Sequence, residues 1–223
     1  NAAWIKIVNA QNIIIMKFIL PLYIGLALLS VLGCEQMSPA GFTSEQSVMI
    51  ENGDSATPMR VFKITSTSDS MLLRTASKDV KVDPTDPLLR LFVDRLYATV
   101  RDSMSLGLGI AAPQVGILKN IIWVQRLDKE AEDLPFEVYL NPEIVEYSEE
   151  IQRSREGCLS IPNQRGNCIR SKWIVLEYDK MDGTHHQEKI ADFTAVIFQH
   201  EVDHLNGILY LDHLAEHQAG VTP

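Results

Sequence analysis

A helix near the end of the chain is predicted to carry polar and apolar residues on one face. Seven residues recur there at helical spacing: Phe193, Val196, Ile197, His200, Glu201, His204 and Leu205. Asp192 precedes the run and is predicted to cap it, and Gly207 is placed to end it. Burying two histidines and a glutamate is costly unless partners satisfy them. The rest of the chain must therefore surround this helix and supply those partners.

The elements predicted before this helix indicate an α+β fold. Asp86-Pro87 begins an earlier, N-terminal helix, because a carboxylate cap is followed by proline in the first turn. Its apolar residues follow at helical spacing and stop before Gly107: Leu89, Phe92, Val93, Leu96, Val100 and Met104. Four runs rich in β-branched or aromatic residues are predicted as strands: 121–124, 137–140, 144–147 and 173–178. The order helix, strands, helix favours antiparallel sheets packed around the histidine-bearing helix.

Residues 200–204 fit the H-E-x-x-H motif. Residues four apart on a helix are neighbours, so both imidazoles can reach one metal ion while Glu201 projects beside it toward a bound water. Cys158, in the segment 156–160, offers a third ligand, and a cysteine with two histidines leaves a fourth tetrahedral position for water. Taken singly, a cysteine is more often a small buried hydrophobic residue, and a short motif also arises by chance. Both alternatives stay open at this point.

A third segment, residues 107–116, is rich in small residues and contains Gln114. It is not a phosphate-binding loop, because the later glycine and the Lys-Ser/Thr pair are absent from it. Small residues let a backbone approach a ligand closely, and the Gln114 amide can donate to an oxygen. The other interpretation is a tight turn with Gln114 exposed to solvent.

Together, residues 107–116, 156–160 and 199–207 resemble, in the same order, the three motifs of the bacterial, metal-dependent peptide deformylases. The resemblance covers roughly Met59 to Leu214 and implies hydrolysis of the N-formyl group of N-formylmethionyl peptides and nascent chains, with release of formate. It implies that Cys158, His200 and His204 bind one divalent metal ion, and that metal-bound water attacks the formyl carbon. Glu201 would be the general base and acid. Gln114 and the backbone N–H of Leu159 would hold the formyl oxygen.

The resemblance also implies residues that bind substrate or support the site. Gly109 would line the groove for the substrate strand, Arg165 would lie near its mouth, and an ion pair of Glu156 and Arg170 would buttress the cysteine loop. The family builds its methionine pocket at the positions of Leu108, Phe193, Val196 and Ile197. Many members have glycine where this chain has Asp192, and many have arginine where it has Val196. The resemblance favours Fe(II), and the ligand set also suits zinc, nickel and cobalt.

The N-terminal quarter of the chain is predicted to contain no part of the catalytic domain. Residues 1–34 read as a signal-like or lipoprotein-type segment, in which Met16 is the candidate start and Cys34 the candidate lipidated residue. Residues 35–58 are polar and without periodicity, which predicts a flexible tether. We assign 59–215 to the catalytic domain and 216–223 to a tail. The family implies the cytosol, whereas the N-terminus indicates export or membrane attachment.

The net charge of -9 and pI of about 5.1 exclude a nonspecific nucleic-acid binder, which needs a basic surface. We expect a monomer. Two other functions compete with deformylation. A zincin-type endopeptidase would take its third ligand downstream, from His213, Glu216 or His217. A non-catalytic envelope lipoprotein could have kept the fold as a binding module.

Overall fold

The computed structural model describes residues 37–102, 107–129 and 134–214. The N-terminal segment with Met16 and Cys34, residue Met104 and the tail 216–223 lie outside them. The helices are α1 (Ser44–Glu51), α2 (Thr67–Leu73), α3 (Pro87–Arg101) and α4 (Asp192–Leu205), with short 3-10 helices at Ala112–Val115 and Tyr210–His213. The strands are β1 (Gly109–Ala111), β2 (Ile121–Gln125), β3 (Phe136–Tyr147), β4 (Ile151–Cys158), β5 (Ile161–Ser171), β6 (Trp173–Asp179) and β7 (His185–Ala191). None of these helices has the length and apolar character needed to cross a bilayer.

The strands form a five-stranded sheet in the order β1-β2-β3-β6-β7 and a separate hairpin of β4 and β5, and all pairs are antiparallel. Alternate residues of β2 contribute to two different cores. Ile121 and Trp123 pack in the cluster that contains α3, whereas Ile122 and Val124 pack in the cluster that contains α4. The predicted α+β fold with antiparallel sheets around the histidine-bearing helix is therefore confirmed.

Helix α3 begins as predicted. The Asp86 carboxylate accepts hydrogen bonds from the backbone N–H groups of Leu88 (2.8 Å) and Leu89 (3.3 Å), and Pro87 occupies the first turn. The five described apolar residues of the predicted stripe are buried: Leu89, Phe92, Val93, Leu96 and Val100. Local sequence therefore sets both the start and the buried face of this helix.

Helix α4 has the predicted extent, but Asp192 does not cap it. The N-cap position belongs to Ala191, and no side chain accepts a hydrogen bond from the first turn. Asp192 is the first helical residue, with a left-handed φ of 57°, and its carboxylate pairs with Lys172 Nζ at 2.5 Å. The Asp192 side chain therefore forms an ion pair and not a helix cap. Gly207, with φ 71°, lies just beyond the helix end as predicted.

Two predictions about the strands are wrong. Runs 137–140 and 144–147 form one strand, β3, because Asn141 takes a left-handed φ of 49° and the pairing with β6 shifts there, so the chain bends without breaking. The three-residue strand β1 was not predicted, and neither were the longer strands β4, β5 and β7. The residues of these longer strands are mainly polar, with alternate positions exposed, so they lack the β-branched and aromatic composition that marks a strand in sequence.

The prediction of a flexible tether is wrong for residues 37–58. Thr43 and Gln46 form a reciprocal capping box at the start of α1. Ala40, Phe42 and Ile50 are fully buried in the same cluster as α3. A short polar helix has too little apolar periodicity to be recognised in the sequence, and the three buried side chains of this segment gain their partners only in the folded core.

Candidate active site

The three predicted metal ligands lie together. Cys158 ends β4, and His200 and His204 stand one turn apart on α4. The Cys158 Sγ atom is 3.1 Å from His204 Nε2, although 46 residues separate them. Each of the three residues has one potential ligand atom, and these three atoms lie within 4.8 Å of one another. Among the residues that the structure describes, no other group of three or more His, Cys, Asp or Glu side chains meets this criterion. His213 is not part of the ligand group.

The surroundings of Cys158 favour its ionised form. Burial opposes ionisation, but the nearby imidazoles of His204 and His200 hold the pKa of the Cys158 thiol well below its usual value. Burial likewise works against protonated His200, yet Cys158 and the carboxylate of Glu156 raise the pKa of His200 well above its usual value. This environment favours the thiolate of Cys158, the form in which cysteine binds metals.

A buried ion-pair network holds His200 in place. Its Nδ1 lies 2.8 Å from Glu156 Oε2, which leaves Nε2 to face the other ligands. Arg170 donates to both oxygens of Glu156, at 2.8 and 2.9 Å, so the predicted pair is present. Arg170 also donates to Asp203 Oδ2 at 2.6 Å, and His213 Nε2 lies 3.0 Å from the same oxygen. The sequence did not indicate a supporting role for Asp203 and His213. Only the folded chain brings Arg170 beside Asp203.

Glu201 is buried beside the ligands with an unsatisfied carboxylate. Its side chain is 4% exposed, and Oε2 has no hydrogen-bond partner among the residues that the structure describes. Burial raises the pKa of Glu201 to about 7, against the opposing effect of His200 and His204. The side chain faces Gly109, where an added Cβ would lie 2.5 Å from Glu201 Oε1. The glycine therefore makes the space that the carboxylate occupies.

Gln114 is 2% exposed, which rules out the interpretation of a solvent-exposed turn residue. Its Oε1 accepts from the backbone N–H of Ala111 at 2.9 Å, and this bond fixes which end of the amide faces the site. Nε2 donates toward Cys158 Sγ (3.4 Å) and Ser160 Oγ (3.3 Å). A preorganised donor thus points at the ligand cysteine.

These groups open into a cavity of about 820 Å³. Its lining includes the residues predicted to bind substrate, namely Leu108, Gly109, Arg165, Phe193, Val196 and Ile197, and also Leu159. Val196 and Ile197 are buried, whereas Leu108 and Phe193 lie exposed at its edge. Lys63 and Arg155 also line the cavity. The sequence did not predict this, because Lys63 lies outside the three motifs and Arg155 has the character of an ordinary surface residue.

One known protein family matches most of the chain. The model of one family, polypeptide deformylase, matches residues 61–219. The chain belongs to the polypeptide deformylase family. The peptide deformylase of Finegoldia magna is 36% identical over 141 residues, covering 63% of this deformylase and 82% of that one. That of a Caulobacter species is 36% identical over 156 residues, covering 70% and 87%.

A solved structure shares the fold. The Met-Ala-Ser-bound class I type b peptide deformylase from Acinetobacter baumannii superposes with a TM-score of 0.64 at 33% identity, covering 71% of this chain and 99% of that one. This deformylase is thus a metal-dependent hydrolase of the class that acts on N-formyl peptides. Neither competing function, endopeptidase or non-catalytic lipoprotein, is favoured.

The deformylase site fits a divalent cation on its own geometry. A thiolate and two imidazoles are the donors that suit zinc and the neighbouring transition metals. His204 Nδ1 and Glu201 Oε2 are both buried, without hydrogen-bond partners within the described ranges. Packing this many buried polar atoms together is costly unless a ligand offsets the cost, and a bound cation with its water would do so.

Proposed function

We propose that this deformylase removes the N-formyl group from N-formylmethionyl peptides at the centre of Cys158, His200 and His204. The observation that carries the assignment is the unpaired, buried carboxylate of Glu201 beside those ligands. A carboxylate placed there can handle protons within a metal-assisted hydrolysis. One similar structure contains Met-Ala-Ser, and we infer that this chain also accommodates peptides that begin with methionine.

The cation, when bound, lowers the pKa of a coordinated water and so supplies a nucleophile near neutral pH. Glu201 takes the proton that this water loses. As oxygen adds to the formyl carbon and the carbon–nitrogen bond breaks, Glu201 passes the proton to the leaving amine nitrogen. Formate and a free amino terminus result. Burial supports this role, because it raises the pKa of Glu201 to about 7, where a carboxylate both accepts and releases a proton readily.

Negative charge develops on the formyl oxygen during this step. The Gln114 Nε2 donor is already oriented by the Ala111 bond to its Oε1, so no reorganisation is needed when the charge appears. We assign the backbone N–H of Leu159 as the second donor, because Leu159 follows the ligand cysteine and lines the cavity. One such donor typically contributes about 3–4 kcal/mol to lowering the barrier.

The apolar part of the cavity is proposed to hold the methionine side chain. Val196 and Ile197 form its buried wall, 2% and 5% exposed, and Phe193 and Leu108 lie at its open edge. Burying a methionine side chain contributes roughly 1.5–3 kcal/mol. The close approach of Gly109 to Glu201 leaves little room at the reacting carbon, which favours formyl over bulkier acyl groups.

We propose Fe(II) as the native metal, in keeping with the family expectation, and the Cys/His/His set supports zinc, nickel or cobalt as substitutes. Protein purified without oxygen should contain about one iron per chain by elemental analysis. Exposure to air should then lower the iron content and the activity together. Zinc at full occupancy in anaerobic protein would exclude iron.

Glu201→Ala tests the proposal most directly. The variant should retain the metal, because the three ligands are untouched, and should release formate from formyl-Met peptides at least about 100-fold more slowly. The isosteric Glu201→Gln variant is the matched control for packing, and it should be equally slow. Turnover near that of the unaltered enzyme in either variant would remove Glu201 from the mechanism. Metal-loaded enzyme that releases no formate would refute deformylation itself.

The remaining assignments stay predictions. Residues 1–34 are proposed to attach the protein to a membrane through a lipidated Cys34, which mass spectrometry of the native amino terminus would detect as a diacylglyceryl group. Sedimentation should give the mass of a monomer. We further propose 216–223 as a tail without a catalytic role, so its deletion should leave formate release unchanged.

A further inference from the structure

The mouth of the catalytic cavity is positively charged, although the chain as a whole carries a net charge of -9. Lys63, Arg155 and Arg165 all line the cavity, and all three are exposed. None of the three forms an ion pair with any acidic residue in the ranges 37–102, 107–129 and 134–214. Their charges are therefore free to act on whatever enters.

The acidic residues of the cavity lining do not cancel this charge. Glu156 and Glu201 are the two carboxylates among the described lining residues, and they are 6% and 4% exposed. Glu156 is already paired with Arg170 and His200. Both carboxylates lie at the floor of the cavity, whereas the cations lie at its rim.

The β4–β5 hairpin fixes two of the cations. Gly157 pairs with Arg165 and Arg155 with Asn167, so Arg155 and Arg165 are diagonal neighbours on one face of the hairpin. A Cβ at Gly157 would lie 3.2 Å from Arg165 Cγ, so the arginine stem lies along this glycine. Lys63 comes from another segment, which is held beside the hairpin by the bond from Ile64 N–H to the Ser160 carbonyl at 3.0 Å.

The distance from the ligand cysteine to these cations indicates which substrate residues they meet. Arg155 precedes Cys158 by three residues of strand β4, or about 10 Å at roughly 3.3 Å per residue. An extended peptide advances by the same amount per residue. Its formyl group lies at the metal centre, so the residues near the rim are the second to fourth of the substrate.

We propose that this enzyme prefers formylmethionyl peptides with an aspartate or glutamate among residues two to four, an inference that rests on the proposed function. Each exposed charge pair contributes little by itself. Three cations around one opening all attract the same substrate carboxylate, so their favourable contributions to substrate binding add. Because the rim is exposed to solvent, salt screens the preference.

The experiment compares amidated tetrapeptides that differ at one position: formyl-Met-Ala-Glu-Ala, formyl-Met-Ala-Gln-Ala and formyl-Met-Ala-Lys-Ala. At low ionic strength, kcat/KM should fall in the order Glu, Gln, Lys, with about 3- to 10-fold between the first two. At about 0.5 M NaCl that ratio should shrink below about twofold. A Glu peptide cleaved no faster than the Gln peptide at low salt overturns the inference.

Variants identify the source of the preference. Lys63→Gln, Arg155→Gln and Arg165→Gln should each reduce the Glu/Gln ratio about twofold, and the triple variant should bring it close to one. Arg90→Gln is the matched control, since this exposed arginine of α3 does not line the cavity, and it should keep the full ratio. A ratio that survives in the triple variant overturns the assignment to these cations. Equal cleavage of all peptides with formate still released refutes this inference alone, whereas no formate from any peptide refutes the proposed function.

Discussion

Adding one methyl group at Gly109 should disable catalysis without removing the metal. A Cβ there would lie 2.5 Å from Glu201 Oε1, 2.8 Å from its Cγ and 2.9 Å from its Cδ. Non-bonded contact needs roughly 3.5 Å, so the carboxylate of Glu201 must move by about 1 Å. Displacements of this size cost about 100-fold in rate, or about 2.7 kcal/mol of barrier. Gly109→Ala should therefore lower kcat about 100-fold.

The measurement is kcat for formate release, with metal content and melting temperature followed in parallel. Metal content should stay near one per chain, because the three atoms nearest to the new methyl group all belong to Glu201, which is not a metal ligand. Overpacking costs about 1–3 kcal/mol, so the melting temperature should fall by several degrees. Gly157→Ala is a matched control: the three atoms nearest to its Cβ all belong to the flexible Arg165 side chain, the first at 3.2 Å, and kcat should change less than about threefold.

A double-mutant cycle separates displacement of Glu201 from general damage. Without the glutamate side chain the methyl group has nothing to displace. Adding Gly109→Ala to Glu201→Ala should therefore cost less than about twofold in residual activity, compared with about 100-fold in the unaltered enzyme. A further loss of about 100-fold on the Glu201→Ala background would show that Gly109 acts by another route, and the reasoning would fail.

Further changes test the ligands, the oxygen donor and the helix start. Cys158→Ser should lose the metal by elemental analysis, whereas His213→Ala should keep it, since only Cys158 is in the ligand cluster; the reverse result would favour an endopeptidase-like site. Gln114→Leu should lower kcat about 100-fold, and it should also destabilise the fold by about 1–3 kcal/mol in urea unfolding because the Ala111 N–H loses its buried acceptor; an unchanged kcat would exclude Gln114 from the transition state. Asp192→Gly should raise the free energy of unfolding by up to about 1 kcal/mol, because φ 57° strains an aspartate but not a glycine; a loss of stability would show that the exposed Lys172 pair outweighs the strain.

The catalytic domain begins earlier than the segment that matches the family. The match starts at residue 61, yet α1 and the residues around it are part of the folded core. Asp86 accepts from the Ala40 N–H at 2.9 Å, and the Arg95 guanidinium donates to the carbonyls of Met49 and Ile50, at 3.0 and 2.7 Å. The same aspartate that caps α3 therefore also holds the preceding segment, so a truncation at residue 58 would expose the apolar face of α3.

Helices α3 and α4 could be predicted from the sequence, because interactions between residues close together in the chain determine them. Asp86 and Pro87 define the start of α3 through contacts with neighbours only two and three residues away. The H-E-x-x-H spacing places His200 and His204 on one face of α4 wherever that helix lies. These signals act within one or two turns of helix, which is why reading along the chain detects them.

Only the tertiary structure determined how Cys158 reaches the histidines and how deeply Glu201 is buried. Cys158 reaches His204 because the polar hairpin of β4 and β5 folds against α4, and no local pattern predicts that hairpin. The raised pKa of Glu201 arises from burial by the whole fold, and the Asp192 carboxylate meets Lys172 only in the folded chain. Burial and cross-strand pairing depend on residues far apart in sequence. The motifs therefore determined which atoms do the chemistry, and only the packed fold determined their distances, their charge states and the positively charged mouth through which a substrate enters.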